Sequence, residues 1–315
     1  MAKQPELNLV QFIDEYGTEE KCLDHLFKHK WPTGYVCEKC GSVEYYQVKT
    51  RGTYECKHCH YQASAISNTV MHKTHTKLTK WFLAIYLISK DKRGISALSL
   101  SKQIGVSYPT AWLTVHKIRE AMLQRDKEYQ LSNFVEMDDA FFGASGGKRG
   151  RGTCKAKVLV QLSVTEEGKP EYAKMTVVDN IDSATINTTA QENIKIGSAI
   201  KSDDYKSYKG LKRVGYEHES VNMDEVGHDN DLKWLHIIIS NSKSFILGTY
   251  HGLDKMHLQK YLNEFCYRFN RRFFEAELFD RLLLACTEAN TIIYKDLIIR
   301  KPKIGNKKKT RPLLN

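Results

Sequence analysis

The stretch Phe134-Val-Glu-Met-Asp-Asp-Ala-Phe-Phe142 decides the fold of the larger part of this chain. Its apolar residues with embedded carboxylates predict a buried strand. Outward from it, apolar runs predict strands at 157–164, 172–178 and 198–202. A polar helix is expected at 183–193, and the chain returns to helix from about 231 to 295. The dipeptide Glu167-Gly168 is a hairpin signal between two of these strands. The mixture of strands and helices predicts an α/β domain over residues 130–295.

Two acidic clusters interrupt or end these strands, Glu136-Met-Asp138-Asp139 and Asp203-Asp204. A charge within an apolar strand is costly unless something compensates it. A divalent cation is one such compensation, because Mg2+ prefers carboxylate and phosphate oxygens and two such ions support phosphodiester chemistry. Carboxylates on adjacent strands would lie over one edge of the sheet and form a metal site. The alternative for both clusters is a turn or capping role. Asp203-Asp204 precedes a helical stretch, so an N-cap there has to be taken seriously.

Four of the eight cysteines form two close pairs, Cys37-Glu-Lys-Cys40 and Cys56-Lys-His-Cys59, with fifteen residues between them. Two thiolates three positions apart on a tight knuckle share one tetrahedral Zn2+, and two knuckles supply all four ligands. The short strands between the pairs form a core too small to stand without metal. The spacing therefore predicts a zinc ribbon with one structural zinc ion over residues 31–65, after a helical segment at 1–30.

Residues 75–128 have the pattern of a helical unit, with a helix-turn-helix at its end. Gly105 suits the turn, and Pro109 suits the first turn of the second helix, where its missing N–H is harmless. An ordinary helical hairpin is the alternative. If the second helix reads DNA, the side chains predicted to face the duplex are Thr110, Thr114, Lys117 and Arg119.

The charge balance favours an acidic partner. The 315 residues contain 48 lysines and arginines against 37 acids, a formal net charge of +11, and nucleic acid is the commonest acidic partner of such proteins. A solvated basic surface is the alternative. A glycine-rich loop with Lys148, Arg149 and Arg151 and a basic tail over 296–315 are candidates to grip phosphates. The sequence shows no apolar run long enough for a membrane helix and no secretory signal, which predicts a cytoplasmic protein without a membrane partner.

Several motifs occur together in a fixed order. They are Trp31-Pro-Thr-Gly-Tyr-Val-Cys-Glu-Lys-Cys-Gly41, Tyr108-Pro-Thr-Ala-Trp112 with Lys117-Ile-Arg119, Val135-Glu-Met-Asp-Asp-Ala-Phe-Phe-Gly143, Ser202-Asp-Asp-Tyr-Lys-Ser-Tyr208, Gly248-Thr-Tyr-His-Gly252 and Tyr261-Leu-Asn-Glu-Phe-Cys-Tyr-Arg-Phe-Asn-Arg-Arg272. This order resembles the zinc-ribbon insertion-sequence transposases, a bacterial group related to the eukaryotic Merlin elements. The similarity covers roughly residues 30 to 275.

The resemblance implies a ribonuclease-H-like catalytic domain, a mixed sheet with flanking helices. It implies that Asp138 and Asp203 are the first and second aspartates that bind catalytic Mg2+ or Mn2+, two ions in all. Glu264, Arg268 and Arg271 match a Glu-x3-Arg-x2-Arg pattern that lies on one helix face. For these three we expect a role in catalysis or DNA contact, with a surface ion pair as the alternative.

The third acid of the resembled family is missing here. No acid lies between Asp231 and Asp254, and Asn241 looks like a known asparagine variant. The resembled enzymes carry a lysine two helical turns after the third acid, and the resemblance implies that Lys243 is this lysine and grips a DNA phosphate. His236 is the alternative third ligand, because it lies seven residues before Lys243 and a continuous helix would place both on one face. The β-branched run Ile237-Ile-Ile239 argues against such a helix, so we keep both residues and slightly favour Asn241.

These features predict a DDE-type DNA transposase of an insertion sequence. It would bind the terminal inverted repeats, cut DNA with a metal ion and transfer the 3′-OH to target DNA. Chemistry at two ends suggests a homodimer or larger assembly on double-stranded DNA, at the bacterial nucleoid. A catalytically degenerate zinc-ribbon DNA-binding regulator is the alternative, supported by the missing third acid. A ribonuclease-H-like nuclease unrelated to transposition is a weaker one.

Overall fold

The computed structural model describes residues 6–143, 155–221, 231–251 and 253–298. The basic-loop residues Lys148, Arg149 and Arg151 lie outside the described residues, as does the basic tail from 299 onward. Within the described ranges, no helix has both the length and the apolar character that crossing a membrane requires.

The N-terminal part combines two helices with a small sheet. Its elements are α1 (Leu9–Tyr16), α2 (Glu19–Lys30) and an antiparallel sheet of β1 (Tyr45–Val48), β2 (Thr53–Cys56) and β3 (Gln62–Ser64). Side chains of Asn8 and Thr18 cap the two helices. Phe27 of α2 packs on Tyr54 of β2 with ring centroids 4.6 Å apart. The ribbon is thus fixed to α2 by aromatic contacts.

Three longer helices follow, α3 (Leu78–Lys90), α4 (Ala97–Ile104) and α5 (Tyr108–Lys127). Gly105 ends α4 in the left-handed conformation, with φ of 62°, which a residue without Cβ adopts at no steric cost. Two residues later Ser107 caps α5, and Pro109 occupies its first turn. The helical character predicted for this segment is confirmed.

The second sheet has five strands in the order β6-β5-β4-β7-β8. They are β4 (Phe134–Phe142), β5 (Ala156–Val164), β6 (Pro170–Val178), β7 (Ala199–Asp203) and β8 (Glu217–Val221). β4, β5 and β6 are antiparallel neighbours, whereas β7 is parallel to β4 and β8 is parallel to β7. This order and these directions are those of the ribonuclease H fold and confirm the predicted mixed sheet.

Helices cover both faces of this sheet. On one face lies α6 (Ser183–Asn193), over a core that includes Val135, Met137 and Leu159. On the other lie α7 (Lys233–Thr249) and α8 (Leu258–Asn270), over Ala140 and Val160. Because successive strand residues point to opposite faces, Asp138 lies on the α7 side and Asp139 on the α6 side.

The last helices, α9 (Leu278–Glu288) and α10 (Tyr294–Leu297), return to the N-terminal helices. Phe279 of α9 packs on Phe12 at 5.6 Å and on Tyr86 of α3 at 6.0 Å between ring centroids. The sequence pattern places α9 in the predicted domain of residues 130–295. In the structure, α9 packs on the N-terminal helices and shares their hydrophobic core.

Candidate active site and metal centre

Asp138 and Asp203 lie side by side on neighbouring parallel strands. Met137 of β4 is in register with Ser202 of β7, so the next residues, the two aspartates, share one face of the sheet. The backbone N–H of Asp139 donates to Asp138 Oδ1 at 2.6 Å, and that of Tyr205 donates to Asp203 Oδ1 at 3.3 Å. The Asp203 contact is a turn interaction and not the expected N-cap, because the following 3-10 helix (Lys206–Val214) has Tyr205 at its cap position and no side-chain cap hydrogen bond.

Helix α7 is continuous from Lys233 to Thr249, through the run Ile237-Ile-Ile239. Ile238 and Ile239 are buried against the sheet, and this packing outweighs the weak helix preference of β-branched residues. His236 Nε2 lies 3.5 Å from Asp138 Oδ2. The hydrogen bond to Asp138 raises the pKa of His236, against the effect of burial.

Lys243 follows His236 by two turns of α7 and therefore lies on the same face. Its Nζ is 5.7 Å from the ring centroid of Phe142, at the end of β4. Burial lowers the pKa of Lys243. The structure therefore brings four predicted site residues to one face of the sheet, namely Asp138, Asp203, His236 and Lys243.

Asn241 occupies a different side of α7. It lies five positions after His236, which at 3.6 residues per turn is about 140° around the helix. Its exposed side chain lines a cavity of about 490 Å3, shared with Ser89, Arg93 and Arg268 from α3, the turn after it and α8. The helix register therefore places His236, and not Asn241, beside Asp138.

The four predicted zinc ligands form one cluster. The Sγ atoms of Cys37, Cys40, Cys56 and Cys59 all lie within 4.8 Å of one another. Each pair sits on a tight turn, closed by hydrogen bonds from Gly41 N–H to Cys37 O at 2.9 Å and from His60 N–H to Cys56 O at 3.0 Å. Four thiolates in this arrangement fit a tetrahedral structural zinc ion. His60 Nδ1 faces Glu55 Oε1 at 3.3 Å and is not part of the cluster.

The face of α5 that was predicted to contact DNA is turned into the protein. Thr114, Lys117 and Arg119 are 2%, 7% and 2% exposed. Lys117 Nζ donates to Val70 O at 2.9 Å. Thr110 is half-buried, and its hydroxyl is bound to Ser107 Oγ at 2.9 Å. The assignment of Thr114, Lys117 and Arg119 to DNA contact is corrected, because buried side chains with protein partners cannot reach a duplex.

Arg119 instead forms a buried ion pair with Glu264 of α8. Its Nε lies 2.8 Å from Glu264 Oε2, and its guanidinium carbon lies 3.8 Å from the Tyr261 ring centroid. Tyr250, directly after α7, donates to Glu264 Oε2 at 3.5 Å. Burial acts to lower the pKa of Arg119, but the Glu264 carboxylate and the tyrosines raise it overall.

The two arginines of the same pattern are also tied to protein atoms. Arg268 lies 3.4 Å from Glu264 Oε1 and donates to the carbonyl of Ile88 in α3. Arg271 NH1 donates to Asp126 Oδ1 of α5 at 2.8 Å. Their ion pairs are therefore not surface pairs, and a role in catalysis or DNA contact for Glu264, Arg268 and Arg271 stays a prediction. These residues join α8 to α3 and α5 from the interior.

Some residues that complete these networks gave no signal in the sequence. Asp126 is buried and anchors both Arg271 and Asn270. Lys201 of β7 lies 2.9 Å from Asp231 Oδ1, two residues ahead of α7. Asp126 stands among charged residues at the end of α5 and resembles a solvated helix end. Only the pairing of distant helices shows its role.

Comparisons with known proteins match two parts of the chain. Residues 130–270 match a family described as "ISXO2-like transposase domain", and residues 17–62 match one described as "Transposase zinc-ribbon domain". A curated relative from Halobacterium salinarum, described as an uncharacterized protein in transposable element ISH50, is 28% identical over 142 residues. This match covers 44% of the chain and 46% of the relative, so the chain spans less than half of that protein.

Two solved structures show only a distant likeness. One is a chain of the simian T-cell lymphotropic virus intasome in complex with PP2A regulatory subunit B56 gamma, with a TM-score of 0.30 and 11% identity over 57% of this chain and 66% of that one. The other is the Mos1 mariner paired end complex with Mn, with a TM-score of 0.27 and 12% identity over 66% of this chain and 78% of that one. Scores this low add nothing about the site.

Proposed function

The chain belongs to the zinc-ribbon insertion-sequence transposases, and from this premise we propose that it cuts DNA at the ends of its element and joins the freed 3′-OH to target DNA. The resemblance carried by the motifs is thereby confirmed at the level of the family. The observation that supports the chemistry best is the parallel register of β4 and β7, with Asp138 beside Asp203 and His236 facing Asp138 from α7.

These residues fit a divalent cation. Two carboxylates on one sheet face offer the oxygen ligands that Mg2+ and Mn2+ prefer. An ion held there would polarise the attacked phosphate and activate the attacking oxygen. Asp138 and Asp203 would hold the metal and orient it. His236 would supply the third ligand in place of the missing acid, and Lys243 would bind a DNA phosphate beside it.

DNA recognition requires a different surface from the one that the sequence pattern favours. The α4–α5 turn is exposed, with Lys102, Gln103 and Tyr108 on its outer side. In helix-turn-helix proteins the first residues of the second helix reach the base edges. We assign this tip and the zinc ribbon to recognition of the terminal repeats, and the sheet domain to strand cutting. Chemistry at two DNA ends favours a homodimer or larger assembly of the chain on DNA, acting at the nucleoid.

A catalytically degenerate regulator is the second candidate, favoured by one observation. The third ligand position is a histidine, and a neutral nitrogen holds Mg2+ less firmly than a carboxylate does. Such a protein would bind the element ends with salt-dependent affinity and leave the DNA strands intact.

The test uses the purified zinc-loaded chain, Mg2+ and linear DNA that carries the element's ends. The proposal expects cleavage by the wild type and by Asn241→Ala, and a loss of about tenfold or more in His236→Ala. Binding without any cleavage would favour the regulator. Equal loss in both variants would overturn the assignment of His236 over Asn241.

A further inference from the structure

The end of α7 is held by the turn that follows α3. Asp91-Lys-Arg-Gly94 forms this turn, which is closed by a hydrogen bond from the Gly94 N–H to the Asp91 carbonyl at 3.0 Å. The hydroxyl of Thr249, the last residue of α7, donates to the Arg93 carbonyl at 2.7 Å. This hydrogen bond joins α7 to a part of the chain 156 residues earlier.

Gly94 fits against Tyr250, the residue directly after α7. It is buried in the left-handed conformation, with φ of 79°. A Cβ on Gly94 would overlap the Tyr250 hydroxyl oxygen and lie 2.9 Å from Phe245 Cε2. Non-bonded carbon atoms pack at about 3.5–4.0 Å, so a larger residue would have to displace one of the two rings. Position 94 therefore requires glycine for its backbone conformation and for the space that Tyr250 occupies.

Tyr250 has no room to yield. Its side chain is buried, and its ring centroid lies 5.4 Å from that of Phe245 and 4.6 Å from that of Tyr261. The guanidinium carbon of Arg119, itself in a buried ion pair, lies 5.1 Å from the same centroid. A side chain packed in this way cannot swing aside without loss of several contacts. A displacement at Gly94 would therefore be passed to the backbone at the end of α7.

The contact lies between two parts of the chain that the proposed function uses together. Two residues after Gly94, Ser96 caps α4, and α4 leads to the exposed turn that we assign to the terminal repeats. On the other side of the contact, α7 carries His236 to Asp138 and Lys243 to the same face. DNA held at the α4–α5 turn has to place its scissile phosphate at that face, so the two helices must keep a fixed relation.

We propose that Gly94, Thr249 and Tyr250 are positioning residues, which align α7 with the helices that hold the DNA. They act through the helix itself. Thr249 lies six residues after Lys243 in one continuous helix, and a shift at its end moves the whole rod along its axis. This proposal rests on the proposed function, since it assigns the three residues to the geometry between the recognition segment and the site.

The experiment separates this contact from backbone strain. Gly94→Ala is compared with Gly168→Ala on the β5–β6 hairpin, where φ is 74° and a Cβ would have no described neighbour within 4 Å. Tyr250→Phe removes the hydroxyl that the new Cβ would overlap, and it is made alone and together with Gly94→Ala. Thr249→Val removes the donor to Arg93 and keeps the side-chain shape, whereas Thr249→Ser keeps the donor. This second pair tests the contact even if Gly94→Ala fails to fold.

Three quantities are measured for each variant. Amide hydrogen exchange is followed over residues 244–250 of the zinc-loaded full chain without Mg2+ or DNA. The affinity for DNA that carries the element's ends and the kcat of its cleavage are measured separately.

We expect Gly94→Ala to accelerate exchange at the end of α7 about tenfold, and Gly168→Ala to change it by less than about twofold. Gly94→Ala should also lower kcat about tenfold or more with DNA affinity unchanged, because small displacements of reacting groups are costly. The double variant Gly94→Ala/Tyr250→Phe should cut about threefold faster than Gly94→Ala alone, since the two residues are in contact. Thr249→Val should change exchange and kcat in the same direction as Gly94→Ala, and Thr249→Ser should stay near the wild type.

An effect of Gly94→Ala no larger than that of Gly168→Ala would overturn the proposal. Additive effects of Gly94→Ala and Tyr250→Phe would also contradict it, because they would show that Gly94 does not act through Tyr250. A fall in DNA affinity that accounts for the whole loss of cleavage would assign the turn to DNA binding instead. If the wild type does not cut DNA but the exchange differences and their rescue hold, the proposed function fails and the anchoring of α7 stands.

Discussion

Arg119 Nε lies 2.8 Å from Glu264 Oε2, across 145 residues of sequence, and the two side chains are 3% and 1% exposed. This ion pair joins α5 of the helical segment to α8 beside the ribonuclease-H-like sheet. Tyr261 and Tyr250 cover the guanidinium with their rings. Since Tyr250 directly follows α7, the network reaches the helix that carries His236 and Lys243.

Removal of one partner of this pair should strongly destabilise the fold. Breaking a buried ion pair leaves an uncompensated buried charge, at a cost of about 3–5 kcal/mol. We expect Arg119→Met to lower the free energy of unfolding by about this amount, measured by urea denaturation. Arg125→Met is the matched control on the same helix, and loss of its exposed pairs should cost less than about 1 kcal/mol. A cost for Arg119→Met no larger than that of the control would contradict the structural role.

The zinc centre gives a stoichiometric prediction. Elemental analysis of the purified chain should find about one zinc per chain, because four thiolates complete one tetrahedral site. The double variant Cys37→Ser/Cys40→Ser should lose the metal and the packing of Phe27 on Tyr54. Cys286→Ala, which changes a buried cysteine outside the cluster, should keep it. Retention of zinc by the double variant would place the metal elsewhere.

A substitution in the exposed α4–α5 turn should weaken DNA binding. Lys102→Gln should weaken binding to the element's ends. It should also reduce the slope of log affinity against log salt concentration by about one, the value of one phosphate contact. The matched control is Lys169→Gln, on the exposed β5–β6 hairpin, which should leave the slope unchanged. Fluorescence anisotropy over a range of salt concentrations measures both. An unchanged slope in Lys102→Gln would remove this tip from the DNA interface.

Because His116 is buried, the free energy of unfolding should fall in mild acid. It is 1% exposed on α5, and burial lowers the pKa of His116 from 6.5 to about 2. A histidine with a depressed folded pKa contributes stability that is complete above its unfolded pKa and is lost as the pH falls toward the folded pKa. The free energy of unfolding should therefore fall by roughly 1.5 to 2 kcal/mol between pH 6.5 and about 5 from this residue alone. His116→Gln should flatten the profile over that interval, and identical slopes in variant and wild type would contradict this assignment.

The sequence predicts the local features of this protein well. The Cys-x2-Cys spacing is enough to predict the zinc cluster, because ligand number and knuckle geometry leave few alternatives. A local pattern also indicates Asp138 as a site residue, because a carboxylate within an apolar strand needs a compensating charge. The strand boundaries around 134–142 and 157–164 also follow from local patterns.

Features that depend on long-range packing are not predictable in this way. The charged residues on α5 resemble a solvated DNA-facing surface until α8 is placed against them, and Arg119 then proves to be buried. The register of α7 depends on burial of Ile238 and Ile239, which overrides their weak helix preference and brings His236 to the site. Strand β8 was not predicted, because its sequence Glu-His-Glu-Ser-Val lacks an apolar pattern and only its pairing with β7 fixes it.

The adjacent aspartates Asp138 and Asp139 offer the most direct test of the central claim. Asp138 points to the α7 face beside Asp203, and Asp139 points to the opposite face. The measurement is the rate of Mg2+-dependent cleavage of DNA that carries the element's ends, for Asp138→Asn and for the matched control Asp139→Asn. The account predicts a loss of about 100-fold or more for Asp138→Asn, as expected for a ligand that helps stabilise transition-state charge, and only a few-fold change for Asp139→Asn. Cleavage by Asp138→Asn at the wild-type rate, or equal losses in both variants, would contradict it.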